Sequence, residues 1–214
     1  MTVKPHNSAR SALGLFLFLA IPGLPLSRWV NEFAGVSHLI GYEAIWWSIV
    51  LFLLFYVRAI EVRPLSSIGF RRPRISDLLI GIGIGVITLA GIAGIFYVIF
   101  PAFHLSESHQ VNQLLATPLW WRWVSVARAA VGEETLFRGY AIERGRELTK
   151  SMTAACVLSW FVFTIEHVGP WGWSHVILAG FGGLVLTLLY VWRRNLWCNI
   201  IAHFIVDGAA LLAA

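Results

Sequence analysis

Two adjacent carboxylates, Glu133 and Glu134, sit with Arg138 in a stretch, 118–142, that otherwise reads as membrane-spanning. Ionised groups are costly in a bilayer, so an acid pair there is by default a candidate functional site. On a helix Glu134 stands one turn before Arg138, the favourable order for an ion pair. Glu133 points about 100° away and has no basic partner within a turn. The spacing therefore predicts that Arg138 holds Glu134 and that Glu133 is left free for proton transfer.

Two later apolar runs also contain groups that lipid should exclude. One ends Phe163-Thr164-Ile165-Glu166-His167, and the other contains Asn199, His203 and Asp207 at successive four-residue spacing. That spacing puts all three on one helix face, aimed at a single partner surface. A lone histidine is more often a packed or interfacial residue. Ionisable groups on three separate runs weaken that account and point to a shared site.

The elements that must position these groups follow from composition. Of 214 residues, 58% are hydrophobic and 13% charged, with a mean hydropathy of +0.74. These values exclude an ordinary soluble domain and predict an all-α polytopic transmembrane helix bundle, one unit over 1–214 with its motif-bearing part in 118–214. About seven spans are expected, at 12–26, 39–60, 78–101, 118–142, 152–168, 175–192 and 196–214. The pI near 9.7 reflects short basic clusters between apolar runs, a mark of topology rather than of a nucleic-acid partner. With a cytoplasmic N-terminus, Lys4/Arg10, Arg58 to Arg74, Arg144 to Lys150 and Arg193/Arg194 all fall on one side. Trp29, Trp46, Trp47, Trp120, Trp121, Trp123, Trp171 and Trp173 then fall near the other, as an aromatic belt. Cys156 and Cys198 share no CxxC spacing and read as small buried side chains.

Several polar residues receive plainer readings. Arg128 snorkels or pairs within the bundle, with a lesser chance of touching substrate. His38, His104, His109 and His175 read as interfacial, and Glu166 as lumenal or as a supporting carboxylate. Glu143, Arg144, Arg146 and Glu147 alternate in sign, as on a solvated face. One conflict arises: conventional spans would place Glu133 and His167 at depths that differ by roughly 12 Å.

Taken together, these motifs resemble the CPBP group, also called Abi or CAAX-protease-like intramembrane proteases, which includes the Ras-converting CAAX endopeptidases. Glu133, Glu134 and Arg138 match its EExxxR motif, Phe163 and His167 its FxxxH motif, and His203 and Asp207 its third motif, which more often ends in Asn. The lead-in Arg193 to Trp197 is also similar, and the resemblance covers roughly 131–208.

The resemblance implies an integral membrane endopeptidase acting on a membrane-anchored, lipidated or C-terminal-tail substrate. Relatives trim prenylated chains, and some prokaryotic members handle bacteriocins or process sorting tails. The chain's compact length fits a stand-alone enzyme of a prokaryotic inner membrane. In the implied mechanism Glu133 and His167 hold the nucleophilic water while His203 and Asp207 stabilise the oxyanion. An ionised Asp cannot donate a hydrogen bond, so Asp207 is either protonated or orients His203.

A metal-free mechanism is favoured because the HExxH helix of many zinc proteases is absent, with zinc the runner-up. Two other classes compete. One is a non-catalytic scaffold or immunity-type protein, and the other an ion-coupled transporter, against which no repeated halves are visible.

Overall fold

The computed structural model describes residues 8–21, 38–106 and 113–212, and its regular elements there are all helical. Helix α1 is Ser8–Ala20; α2 is His38–Phe55, ending in a π-helical turn, Tyr56–Ile60. Helix α3 is Ile75–Gly94, prolonged through a π-helical turn, Ile95–Ile99, and Phe100–Ala102. Helix α4 starts with Leu119–Glu133 and continues without a break through a π-helical stretch, Glu134–Ala141, into Ile142–Thr149. Helix α5 is Met152–Glu166 with a short extension, Val168–Trp171; α6 is His175–Arg193 and α7 is Leu196–Leu212. Lys4, Trp29, His109, residues 22–26 of the first expected span and the last two residues of the seventh lie outside the described residues, as does the side chain of His38.

Four helices, Leu39–Ile60, Ile75–Ala102, Met152–Trp171 and His175–Arg193, are long and apolar enough to cross a membrane. Ser8–Ala20 and Leu196–Leu211 are shorter apolar helices. Phe16, Phe55, Ile87 and Leu188 lie exposed on outer faces, the pattern of helices that meet lipid rather than water.

Helix α7 is the centre of the packing, lying against α3, α4 and α6. Gly81 and Gly85 let α3 approach it closely: a Cβ on Gly81 would run into the Cys198 carbonyl and one on Gly85 into the Ala202 carbonyl. Small residues one turn apart allow this contact in a bilayer, where apolar side chains gain little from leaving lipid. The turns are equally local in origin. Lys150 closes α4 in the left-handed region at φ 60°, and the Ser151 hydroxyl caps α5 by accepting from the Ala154 amide at 3.1 Å. Arg194, at φ 53°, donates its amide to the Tyr190 carbonyl and turns the chain from α6 into α7.

The polar residues after 142 depart from expectation. Rather than leaving the helix for solvent, they carry α4 on to Thr149, and Glu143 and Arg144 are buried. Their charges are met by other elements. Arg144 reaches Glu61 Oε2 at 2.6 Å and Ser67 Oγ at 3.0 Å, and Glu143 accepts from Tyr190 Oη and Arg194. Arg63 pairs with Glu147 at 2.7 Å and Arg193 with Asp77 at 2.7 Å. Arg146 keeps the expected open position, 45% exposed beside Glu143, as does Lys150 just after the helix. Residues of the last three basic clusters thus interlock at one end of the bundle, where Arg10 also donates to the Ile60 carbonyl.

The longer α4 removes the depth conflict. Glu133 stands 16 residues before Thr149 and His167 stands 15 residues after Met152, on antiparallel neighbours joined by two residues. At about 1.5 Å per residue the two groups reach nearly the same depth.

The Arg144–Glu61 pair gives a test of this packing. Arg144→Ala leaves Glu61 buried without its charge partner and should cost about 3–5 kcal/mol. Arg146→Ala, on the open side, should cost under about 1 kcal/mol. Thermal unfolding in detergent should separate the two variants, and equal midpoints would contradict the burial of this pair.

Candidate active site

The centre of the site is the Glu134 carboxylate, which is wholly buried. Its Oε1 accepts from Arg138 Nη1 at 2.9 Å and from His203 Nδ1 at 2.8 Å, and its Oε2 accepts from Asn199 Nδ2 at 3.0 Å. The expected one-turn pairing of Glu134 with Arg138 is therefore present, and α7 adds two further donors. Arg138 spends a second N–H on the Gly183 carbonyl at 3.1 Å, which ties α4 to α6. A buried ion pair is tolerated only when its remaining donors and acceptors are also met, and this one largely is.

The backbone here is π-helical from Glu134 through Arg138, every residue of the EExxxR motif after the first. Ser159 of α5 donates its hydroxyl to the Phe137 carbonyl at 2.7 Å, and Thr135 donates to the Val131 carbonyl at 2.6 Å. A side chain inserted into the helical ladder is a recognised cause of such widened turns, which occur often at functional sites.

Glu133 has a different environment. Its side chain is 27% exposed, and the nearest charged group is His203 Nε2, 4.0 Å from Oε2. That oxygen is itself buried and accepts no hydrogen bond among the described residues. A buried acceptor without a donor is costly, which makes it the atom that a reacting group would satisfy. The two adjacent acids are thus divided into one committed carboxylate and one free.

His203 spans both. Its Nδ1 faces an acceptor on Glu134, so this nitrogen carries the proton and the ring presents Nε2 to Glu133 and to Asp207 Oδ2, 3.3 Å away. Asp207 also lies within electrostatic range of His167 and His175. The face of α7 bearing Asn199, His203 and Asp207 therefore meets α4 at one end and the imidazoles of α5 and α6 at the other.

His167 is fixed from below by its own helix. Its Nδ1 lies 2.7 Å from the Phe163 carbonyl, which can only accept, so a neutral ring exposes Nε2 as a lone pair. Phe163 packs between the motifs: the Arg138 guanidinium sits 4.1 Å over its ring, and the His167 ring centre is 4.5 Å away.

Three partnerships were not legible in the sequence. His175, expected at the interface, stacks on His167 with ring centres 5.9 Å apart and planes within 5°. Arg128 pairs with Glu43 at 3.1 Å and lies over Tyr42 and Trp46, in the alternative of pairing within the bundle. Asn199 was visible as a member of the α7 face, but its bond to Glu134 was not. Glu166 enters none of these contacts.

The fit to a metal ion is poor. Among the described residues no three His, Cys, Asp or Glu side chains are arranged to hold one. Glu134 and His203 Nδ1 are already committed to each other and to Arg138 and Asn199.

Residues 115–209 match the family model described as type II CAAX prenyl endopeptidase Rce1-like. All three motifs fall inside that match, which supports membership of the CAAX-protease-like family for the motif-bearing part of the chain. The family implies intramembrane protease activity, and with four long apolar helices the chain is an integral membrane protein. No curated protein and no solved structure matches the chain.

The buried pair predicts the behaviour of its variants. Glu134→Ala and Arg138→Ala should each lower stability by about 3–5 kcal/mol, because each strands a charge at a buried position. Unfolding midpoints in detergent equal to that of the parent protein would show that the pair does not hold α4 to α6 and α7.

Proposed function

We propose that the chain is a glutamate-dependent intramembrane endopeptidase that hydrolyses a peptide bond near the membrane-anchored or C-terminal end of its substrate. The observation that carries this reading is the unequal acid pair. Glu134 is held by three donors, while Glu133 keeps a buried, unpartnered oxygen 4.0 Å from His203 Nε2.

In this reaction Glu133 takes a proton from water as the water oxygen attacks the scissile carbonyl carbon. His167 orients that water by accepting its second hydrogen at Nε2. Negative charge then builds on the carbonyl oxygen, and His203, protonated on both ring nitrogens because each faces a carboxylate, supplies a donor from Nε2 to meet it. Asp207 serves by orienting this imidazole, since a carboxylate has nothing to donate. Collapse of the intermediate breaks the C–N bond. The proton held by Glu133 passes to the leaving nitrogen, giving a new carboxylate and a new amine. Glu134, Arg138 and Asn199 set the ring and the helix in place without touching substrate.

No step uses a metal, in keeping with the poor fit of the side chains to one. The low dielectric around the site strengthens each of these polar contacts, and the lipid bilayer brings an anchored substrate to the same depth. The gathering of Arg10 and the three later basic clusters at one end supports a cytoplasmic N-terminus, in what we take to be a prokaryotic inner membrane.

Glu133→Gln removes the base but keeps the shape, so it should fold and insert normally while cleavage falls by at least about 100-fold. Processing of a genuine substrate at the parent rate would remove Glu133 from the mechanism. Asp207→Asn presents an oxygen to His203 and should stay within about tenfold of the parent, whereas Asp207→Ala should lose about 10–100-fold, the usual effect of an orienting partner. Cleavage assays on both variants decide this, and equal loss in the two would contradict an orienting role.

A further inference from the structure

A second polar pocket opens at the charged end of the bundle, well away from Glu133. Its volume is about 170 Å³, and Arg71, Arg72, Arg74, Asp77, Arg193 and Asn195 line it. The one carboxylate is fully used: Asp77 accepts from the Arg74 amide, from Arg193 Nη2 at 2.7 Å and from Asn195 Nδ2 at 2.8 Å. Arg71, Arg72 and Arg74 are exposed and form no ion pair among the described residues. Arg193 Nε is buried in the pocket wall without a hydrogen-bond partner. Four guanidinium groups thus face one neutralised acid, and the pocket lacks a matching anion.

Its position identifies the anion's source. The arginines directly precede α3, whose first turns present Ile75, Leu78 and Leu79 outward, 78%, 46% and 63% exposed. Exposed Trp192 and Trp197 stand beside Arg193 and Asn195, where indoles mark the membrane interface. A ligand seated here would have its charged part among arginines and its apolar part along the lipid-facing wall of α3.

We propose that this pocket binds the phosphate of an anionic glycerophospholipid. Guanidinium groups match phosphate oxygens bidentately, and a net charge of three favours a headgroup that brings no cation of its own. The bound phosphate would fasten the stretch between α2 and α3 to the turn between α6 and α7. That turn also sets the base of α7, through the Leu196 amide on the Gly69 carbonyl at 2.9 Å. Lipid occupancy therefore stabilises the helix that carries Asn199, His203 and Asp207.

The test uses the full chain in nanodiscs or detergent with added phosphatidylglycerol, phosphatidylcholine, or phosphatidylcholine plus inorganic phosphate. Retained lipid is counted by native mass spectrometry, and unfolding midpoints are read in parallel. Phosphatidylglycerol alone should be retained and raise the midpoint. Each arginine near an anionic headgroup is worth roughly fivefold in affinity, so replacing Arg71, Arg72 and Arg74 together by Gln should weaken retention about 100-fold. Single Arg71→Gln and Arg72→Gln variants should each give about the single step, which keeps the test usable if the triple variant fails to fold. Arg58, Arg146 and Lys150 replaced together by Gln remove the same charge at the same end outside the pocket, and should leave retention unchanged. Equal loss in the two triple variants, or equal retention of phosphatidylcholine, would overturn the pocket. Stabilisation by inorganic phosphate matching that by phosphatidylglycerol would overturn its assignment to lipid.

Discussion

The Glu134 carboxylate, with no exposure to solvent, is the contact on which the rest of the site depends. A lone ionised acid in that position would be prohibitively costly, and the fold answers with Arg138 from the same helix and Asn199 and His203 from α7. Each donor fixes something else in turn. Arg138 reaches the Gly183 carbonyl and lies over Phe163, so α5 and α6 are registered to the same carboxylate. His203 has its Nδ1 proton and ring plane set by this bond, which decides what Nε2 faces. The first consequence of burying Glu134 is structural, and the second is chemical, because Arg138 Nη1, Asn199 Nδ2 and His203 Nδ1 are spent on Glu134 and none of them reaches Glu133.

The same logic recurs at the charged end, with a different outcome. Arg144, Glu61, Glu143, Arg194, Asp77 and Arg193 form buried or half-buried pairs that join the segments between helices. Such pairs add little stability over apolar packing, but removing one partner is expensive, so they act as register marks between segments distant in sequence. They also explain how α4 can run to Thr149. A helix continuing past 142 into a polar stretch needs its charges met from outside, and the α2–α3 segment and the α6–α7 turn meet them.

Much of the architecture was legible in the sequence, for reasons that can be traced. Apolar runs gave helices α2, α3, α5, α6 and α7 nearly at their observed limits, because length and hydropathy alone decide which segments lipid accepts. The spacing of Glu134 and Arg138, and of Asn199, His203 and Asp207, fixed which side chains share a face. What spacing within one helix cannot reveal is a partner from another. Glu143 and Arg144 read as solvated because their neighbours alternate in sign, whereas Glu61, Tyr190 and Arg194 bury them. Arg128 found Glu43, and His175 found His167, across similarly long separations. The depth conflict between Glu133 and His167 was a correct calculation from a wrong helix end.

The claim that most needs a direct measurement is that Glu133 activates water in a site where Glu134 and His203 are held by hydrogen bonds rather than by a metal. Purified protein, exhaustively chelated, should still cleave its substrate, with elemental analysis finding far less than one metal ion per chain. A stoichiometric metal whose removal abolishes cleavage and whose return restores it would contradict the account. Such a result would make Glu133, His167 and His203 ligands instead of base and hydrogen-bond partners.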